Sequence, residues 1–132
     1  MLQTSNRLTK VRDFNLIMKY GRWANGSFLD LKYLELAKIT NYFPKKEDPD
    51  KFKKQLKLAI TVGLKVSKSA VKRNRVKRQI REVLRLLIKD GRITGGRYLL
   101  FVARKNILEK NYAEISEEVM LLLKRSNIYL SS

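Results

Sequence analysis

The sequence predicts an α+β domain, with helices packed on a mixed β-sheet of about four strands in the order α-β-β-β-α-β-α. Three observations carry that prediction. Between Lys72 and Arg85 and just beyond, the apolar residues Val76, Ile80, Val83, Leu84, Leu87 and Ile88 recur at spacings of three and four, the mark of one buried helical face. Leu56, Leu58, Ile60, Val62, Leu64 and Val66 alternate at the period of a strand. Tyr98 to Ala103 is an unbroken apolar run of strand length, as expected of a central strand covered on both faces.

The elements follow in chain order. A short first helix is expected from the stripe Phe14, Ile17 and Met18, with Thr9 as N-cap and Gly21 in the left-handed position after its end. Trp23-Ala24-Asn25-Gly26 reads as a turn, and Ser27 to Ala37 as a strand with Leu29, Leu31 and Tyr33 on one face and Phe28, Asp30 and Lys32 on the other. Residues 41–54 hold both prolines and a mixture of charges, a loop longer than a hairpin needs. Its Glu47, Asp48 and Asp50 read as a solvated loop with compensating lysines, not as a metal site. Leu56 to Val66 is the next strand. The basic helix starts near Ser69 and ends at about Lys89, before Gly91. Gly95-Gly96 is a turn into the strand Tyr98 to Ala103. Asn111 with Glu114 three residues on has the form of a capping box, and the last helix turns Ile115, Val119, Leu122 and Leu123 inward. Residues 126–132 read as a flexible tail. A strand–helix–strand crossover within one sheet is normally right-handed.

Composition narrows the function. The 132 residues suit one domain, 1–132, and a hydrophobic share of 44% argues against disorder. Thirty Lys and Arg against twelve Asp and Glu leave a net charge of +18, more than solubility needs, so a polyanionic partner is expected. Nucleic acid is the first candidate. No stretch approaches the ~18 consecutive apolar residues of a membrane span. With neither Cys nor His, the chain lacks a thiol nucleophile, a zinc site built on those residues, and the commonest general base. Its first residues lack the apolar run of a signal peptide, so a cytoplasmic protein is expected.

The stretch Lys72 to Arg85 is the strongest functional signal, since half of its positions are Lys or Arg. On a helix Asn74, Arg78, Arg81 and Arg85 gather within about 80° of each other, opposite the apolar face. Arg73, Arg75, Arg78 and Arg81 offer forked donors that match phosphate oxygens, whereas Lys68, Lys72 and Lys77 act as point charges. Asn74 can both donate and accept, which suits fixing a loop or reading a sugar or base edge.

Arg73-Asn74-Arg75-Val76-Lys77-Arg78, preceded by Val66-Ser67-Lys68 and followed by Ile80-Arg81-Glu82, resembles the signature of the bacterial ribonuclease P protein component. Arg7-Leu8, Arg12-Asp13-Phe14, Gly21, Ala24-Asn25 with Phe28, and Val102-Ala103-Arg104-Lys105 with Tyr112 and Glu114 extend the likeness over most of the chain. The resemblance implies an accessory protein subunit of an endoribonuclease, with no small-molecule substrate. A catalytic RNA using bound Mg2+ would cut the 5′ leader from precursor tRNA, and this chain would bind no cofactor itself. Its partners would be that RNA and precursor tRNA. The implied RNA-binding set is Lys68, Lys72, Arg73, Asn74, Arg75, Lys77, Arg78, Arg81 and Arg85. A leader cleft between the first helix and the sheet would draw on Arg12, Phe14, Met18, Phe28, Leu31 and Lys65. The family's fold, shared with a ribosomal-protein domain, carries a left-handed βαβ crossover.

The connection Ser67-Lys68-Ser69-Ala70 is shorter than the family's usual one. Met18 stands where an aromatic is usual, and Leu31 where Tyr is, so weaker base stacking is implied in the cleft. A ribosomal protein or general RNA chaperone is the alternative reading. A protein-only nuclease would need clustered acids to hold metal, and the acids here are scattered. A helix-turn-helix DNA reader does not fit the flanking strands.

Overall fold

A computed structural model describes residues 6–38 and 54–130. The elements are α1 (Val11–Tyr20), β1 (Arg22–Asn25), β2 (Leu29–Glu35), β3 (Leu56–Thr61), α2 (Ala70–Lys89), β4 (Arg97–Ala103) and α3 (Tyr112–Arg125), in the expected order α-β-β-β-α-β-α. Short 3-10 turns follow β2 and β4 at Leu36–Lys38 and Lys105–Glu109. The prolines and the acids Glu47, Asp48 and Asp50 of the 41–54 loop lie outside the described residues.

The strands form one mixed sheet in the order β1-β2-β4-β3. β1, β2 and β4 are antiparallel neighbours, and β3 runs parallel to β4, so the chain must cross over between them through α2. β4 is central and alternates between two cores. Leu99 and Phe101 face the side covered by α2 and α3, whose buried residues include Val76, Ile80, Leu84, Ile115, Val119 and Leu122. Tyr98 and Leu100 face the side covered by α1, with Leu16, Ile17, Leu34 and Leu36. The outer edge of β3 is occupied by the chain before α1: Leu8 N–H donates to the Leu58 carbonyl at 2.9 Å and Asn6 to that of Leu56 at 2.8 Å. These bonds satisfy backbone groups that an open edge would expose.

Several boundaries differ from the sequence expectation. The stretch read as the turn Trp23–Gly26 is strand β1 as far as Asn25, with only Gly26 in the hairpin turn. Exposure of this edge strand hid its pattern. β3 stops at Thr61 and does not run to Val66. Val62 and Val66 still enter the core, but across a turn closed by Val66 N–H to the Gly63 carbonyl at 3.0 Å. Alternating apolar residues at 62 and 66 therefore report two anchors of a loop as readily as a strand. Lys10, not Thr9, holds the N-cap position of α1, without a side-chain cap. Gly21 has φ −69°, so it is not left-handed. Its lack of a side chain is needed for a different reason, because a Cβ would collide with the Ile17 carbonyl and the Lys32 side chain.

Of the expected tail 126–132, residues 126–130 are docked on the domain, and 131–132 lie outside the described residues. Asn127 takes a left-handed φ of 57°, Ile128 N–H donates to the Leu123 carbonyl at 2.9 Å, and Asn127 N–H to that of Lys124 at 3.2 Å. This closing turn directs Ile128 into the core, where it is fully buried. Residues Arg92–Thr94 then clasp it through Thr94 N–H to the Ile128 carbonyl at 2.9 Å and Leu130 N–H to the Arg92 carbonyl at 2.6 Å. The capping box at α3 forms as read: Glu114 N–H donates to Asn111 Oδ1 at 2.8 Å, and Asn111 N–H to Glu114 Oε1 at 3.1 Å.

Candidate nucleic-acid interface

α2 begins where two serines meet an arginine. Ser69 occupies the N-cap and accepts from Lys72 N–H at 3.4 Å, while its own N–H donates to Ser67 Oγ at 3.1 Å. Arg73 turns back and donates through Nη1 to the Ser67 carbonyl at 2.9 Å. One arm of Arg73 thus fixes the shortened connection instead of reaching outward with the rest. Buried Val76, Ile80, Val83 and Leu84 seat the helix on the sheet, and that seating aims Asn74, Arg75 and Arg78 at solvent.

Asn74, Lys77, Arg78 and Arg81 line one shallow depression together with exposed Val71. Arg81 also borders a second depression, lined by Arg7, Leu8, Thr9 and β3 residues Leu58, Ala59 and Ile60. Among the described residues, Arg75, Arg78 and Arg81 have no protein acceptor. Lys68 and Lys72 are exposed near the positive end of the helix dipole, which adds to their attraction for an anion. Arg85 is already engaged: its Nη2 and Nε donate to both oxygens of Glu82 at 2.6 and 3.0 Å. That hydrogen bond holds the Glu82 carboxyl below its ordinary value and raises the Arg85 guanidinium above its own. The sequence row of four therefore ends, in its free form, at Arg81.

The residues expected in the cleft beside α1 are only partly assembled there. Phe14 is half-buried on α1 and Met18 is exposed one turn on, with Arg12 beside Asp13 at 3.6 Å. Lys65 is exposed in the turn after β3. Phe28 and Leu31 lie on the opposite side of the sheet, at 6% and 0% exposure, in the core under α2 and α3. Leu31 follows from strand parity, since it shares the face of Leu29. Phe28 sits in the hairpin turn before β2 begins, outside the pleat, and its N–H donates to the buried Glu118 carboxylate at 2.8 Å. The ring lies on the α3 side, with Lys110 Nζ 5.4 Å from its centroid.

Trp23 and Lys32, which share the α1 side with Phe14 and Met18, were not in the expected cleft set. Trp23 pairs with Lys32, Lys32 with Leu100, and Leu100 with Ala59, a cross-strand row facing α1. Lys32 Nζ donates to the Met18 carbonyl at 3.0 Å and lies 5.3 Å from the Trp23 ring centroid. The available signal was the assignment of Lys32 to the face opposite Leu31, combined with a second strand pairing across it. Among the described residues, the two acids on this side are both in ion pairs. Asp13 is fully buried and meets Lys57 at 3.4 Å, and Asp30 takes a two-pronged contact from Arg104 at 2.8 Å for each arm. Its hydrogen bond to Asp30 raises the Arg104 guanidinium. Among the described residues, no group of three or more acidic side chains is placed to hold a metal ion, and no helix is long and apolar enough to cross a membrane.

Fold and charge together define a class: a small basic α+β domain that carries unpaired guanidinium groups on a helix seated over a mixed sheet. The ribonuclease P family model matches residues 2–127. The ribonuclease P protein component of Synechococcus sp. (strain JA-2-3B'a(2-13)) is 32% identical over 132 residues, spanning 100% of this chain and 90% of that protein. That of Microcystis aeruginosa is 35% identical over 123 residues, covering 93% and 92%. The RNase P protein of Thermotoga maritima superposes with a TM-score of 0.66 at 27% identity, over 90% of this chain and 96% of that one. The Staphylococcus aureus RNase P protein shares the fold, with a TM-score of 0.73 at 21% identity, covering 96% and 100%. The chain belongs to the ribonuclease P protein component family, and its role is that of a subunit of ribonuclease P.

The Arg85–Glu82 pair gives an expectation about charge. Replacing Glu82 with Gln releases the Arg85 fork, so RNA affinity is expected to rise several-fold and the log–log salt dependence to steepen by about 0.7 to 0.9. Fluorescence anisotropy across a salt series measures both. Adding Arg85→Ala to that variant should return both quantities towards the parent, which separates a released fork from the mere loss of a negative charge.

Proposed function

We propose that this subunit docks on the catalytic RNA of ribonuclease P through α2 and holds the 5′ leader of precursor tRNA on the α1 side of its sheet. The observation that carries the reading is the row Asn74, Arg78 and Arg81 around one depression, with Arg78 and Arg81 free of protein acceptors among the described residues. Forked donors fixed on a rigid helix match phosphate oxygens without the ordering that a loop would require. Lys68, Lys72, Arg75 and Lys77 extend the positive field around the helix start.

In this reading the RNA and its Mg2+ ions supply the hydrolytic chemistry. The protein contributes affinity for the leader, screens repulsion between two polyanions, and thereby improves occupancy of the RNA's own ion sites. The setting is the cytoplasm. Half-buried Phe14 offers an apolar surface that tolerates any base, in keeping with substrates whose leaders differ in sequence.

Reconstitution tests it. Purified protein added to a bacterial ribonuclease P RNA at low Mg2+ is expected to raise the yield of 5′-matured tRNA well above that of the RNA alone. Equal yields with and without the protein would remove the processing role.

A further inference from the structure

We propose that Trp23 on β1 is a base-stacking platform that extends the single-stranded leader path from α1 across to the sheet edge. This rests on the reading of the α1 side as the leader-binding side, and it assigns that side a residue and a direction.

The geometry forms a continuous line. Phe14 and Met18 are four residues apart on α1 and therefore lie on one stripe. Met18 bonds through its carbonyl to Lys32 Nζ at 3.0 Å, and its sulfur lies 3.8 Å from the same nitrogen. That ammonium stands 5.3 Å from the Trp23 centroid. Lys32 is buried, so the cation braces the indole from within the sheet rather than screening it from solvent. Trp23 nonetheless remains 49% exposed and Met18 54%.

Trp23 and Met18 flank the same ammonium and are both open to solvent, and grouped apolar exposure of this kind marks an interaction surface. The surrounding charge says what would cover it. Lys32 in the sheet and exposed Lys19 beside Met18 on α1 are cationic, and among the described residues the two acids on this side, Asp13 and Asp30, are each held in an ion pair. A braced, planar, open aromatic surface in a positive field fits a single-stranded polynucleotide, whose bases stack while its phosphates meet the cations. An acidic protein segment would meet the cations but leave the flat ring without a planar partner.

Trp23 is the only tryptophan in the chain, so its emission reports this contact directly. Titration of the protein with a dye-labelled oligouridine of about ten nucleotides is expected to quench that emission in step with the rise in anisotropy. In the reconstituted holoenzyme, Trp23→Ala is expected to weaken binding of a precursor tRNA with a long leader about tenfold. A substrate with a leader cut to about two nucleotides, too short to span from Phe14 to β1, should be bound unchanged. Trp23→Phe should retain most of the parent affinity, which guards against a folding defect. Unchanged emission at saturating oligonucleotide, equal losses for long and short leaders, or a concentration-dependent dimer abolished by Trp23→Ala would each overturn the proposal. Failure of the protein to stimulate the RNA at all would instead strike the docking reading, and the oligonucleotide titration would still decide this one.

Discussion

Replacing Arg78 and Arg81 together by Ala is expected to weaken binding to ribonuclease P RNA by about two to four orders of magnitude at low salt. Neither guanidinium is held by a protein acceptor among the described residues, so the full donor capacity of both is available to phosphate. A hydrogen bond to a charged group contributes about 1.5–3 kcal/mol, or roughly ten- to a hundredfold in affinity for each contact. Losing two phosphate contacts should also flatten the log–log salt dependence by about 1.4 to 1.8. Retaining the charge but not the fork separates the two effects. In Arg78→Lys with Arg81→Lys the salt slope should stay near the parent value while affinity falls by a smaller factor. Binding measured over a range of salt concentrations decides it. Affinity within twofold of the parent and an unchanged slope would take the face of α2 out of the interface.

The largest effect on stability is expected at Asp13. Its carboxylate is fully buried at the start of α1, where Oδ1 accepts from the Tyr98 hydroxyl at 2.9 Å and Oδ2 lies 3.4 Å from Lys57 Nζ. Tyr98 is itself fully buried on the central strand, with its hydroxyl also 3.0 Å from the Gln55 side-chain oxygen. Asp13→Ala leaves the Lys57 ammonium, whose side chain is 13% exposed, without its carboxylate in a buried setting. Breaking a buried pair on one side costs about 3–5 kcal/mol, and the long Lys57 contact argues for the lower end. Asp13→Asn keeps an acceptor for the hydroxyl and should lose less. Tyr98→Phe removes one neutral donor to a charged acceptor and should lose about 1.5 kcal/mol. Urea unfolding should show a lowered midpoint with an unchanged slope. A loss below about 1 kcal/mol for Asp13→Ala would mean that α1 is held by apolar packing alone. Because α1 carries Phe14 and Met18, its loosening should also weaken leader binding more than RNA docking.

Much of the basic helix α2 was legible because its signal is local. Period, cap and basic face all belong to one run of chain, and Ser69, Val76, Ile80 and Gly91 fall where the pattern placed them. β4 was legible for a related reason: a strand buried on both faces writes itself as an unbroken apolar run. The partnership of Arg85 with Glu82 was also within reach, since they are three residues apart on a helix.

The cleft was less legible. Phe28 and Leu31 could be located along the chain, but which side of the sheet they occupy depends on contacts with residues far away in sequence. Glu118 captures the Phe28 N–H from α3, and β1 pairs along the outer edge of β2. Trp23 looked like part of a turn because an edge strand of four residues has too little burial to leave a pattern. The segment after α3 looked like a tail because a single Ile carries its docking.

The sequence alone determined that this is a strongly basic α+β domain, that one helix carries a face of arginines, and that the chain lacks the His and Cys of common catalytic sites. Those properties are set by composition and by periodicity within single elements. Tertiary structure alone decided which guanidinium groups are free, which aromatics reach solvent, and that Trp23 and Lys32, not Phe28 and Leu31, share the α1 side. Side-chain period fixes relative faces within a strand, but only cross-strand pairing and the helix packed above decide what each face meets.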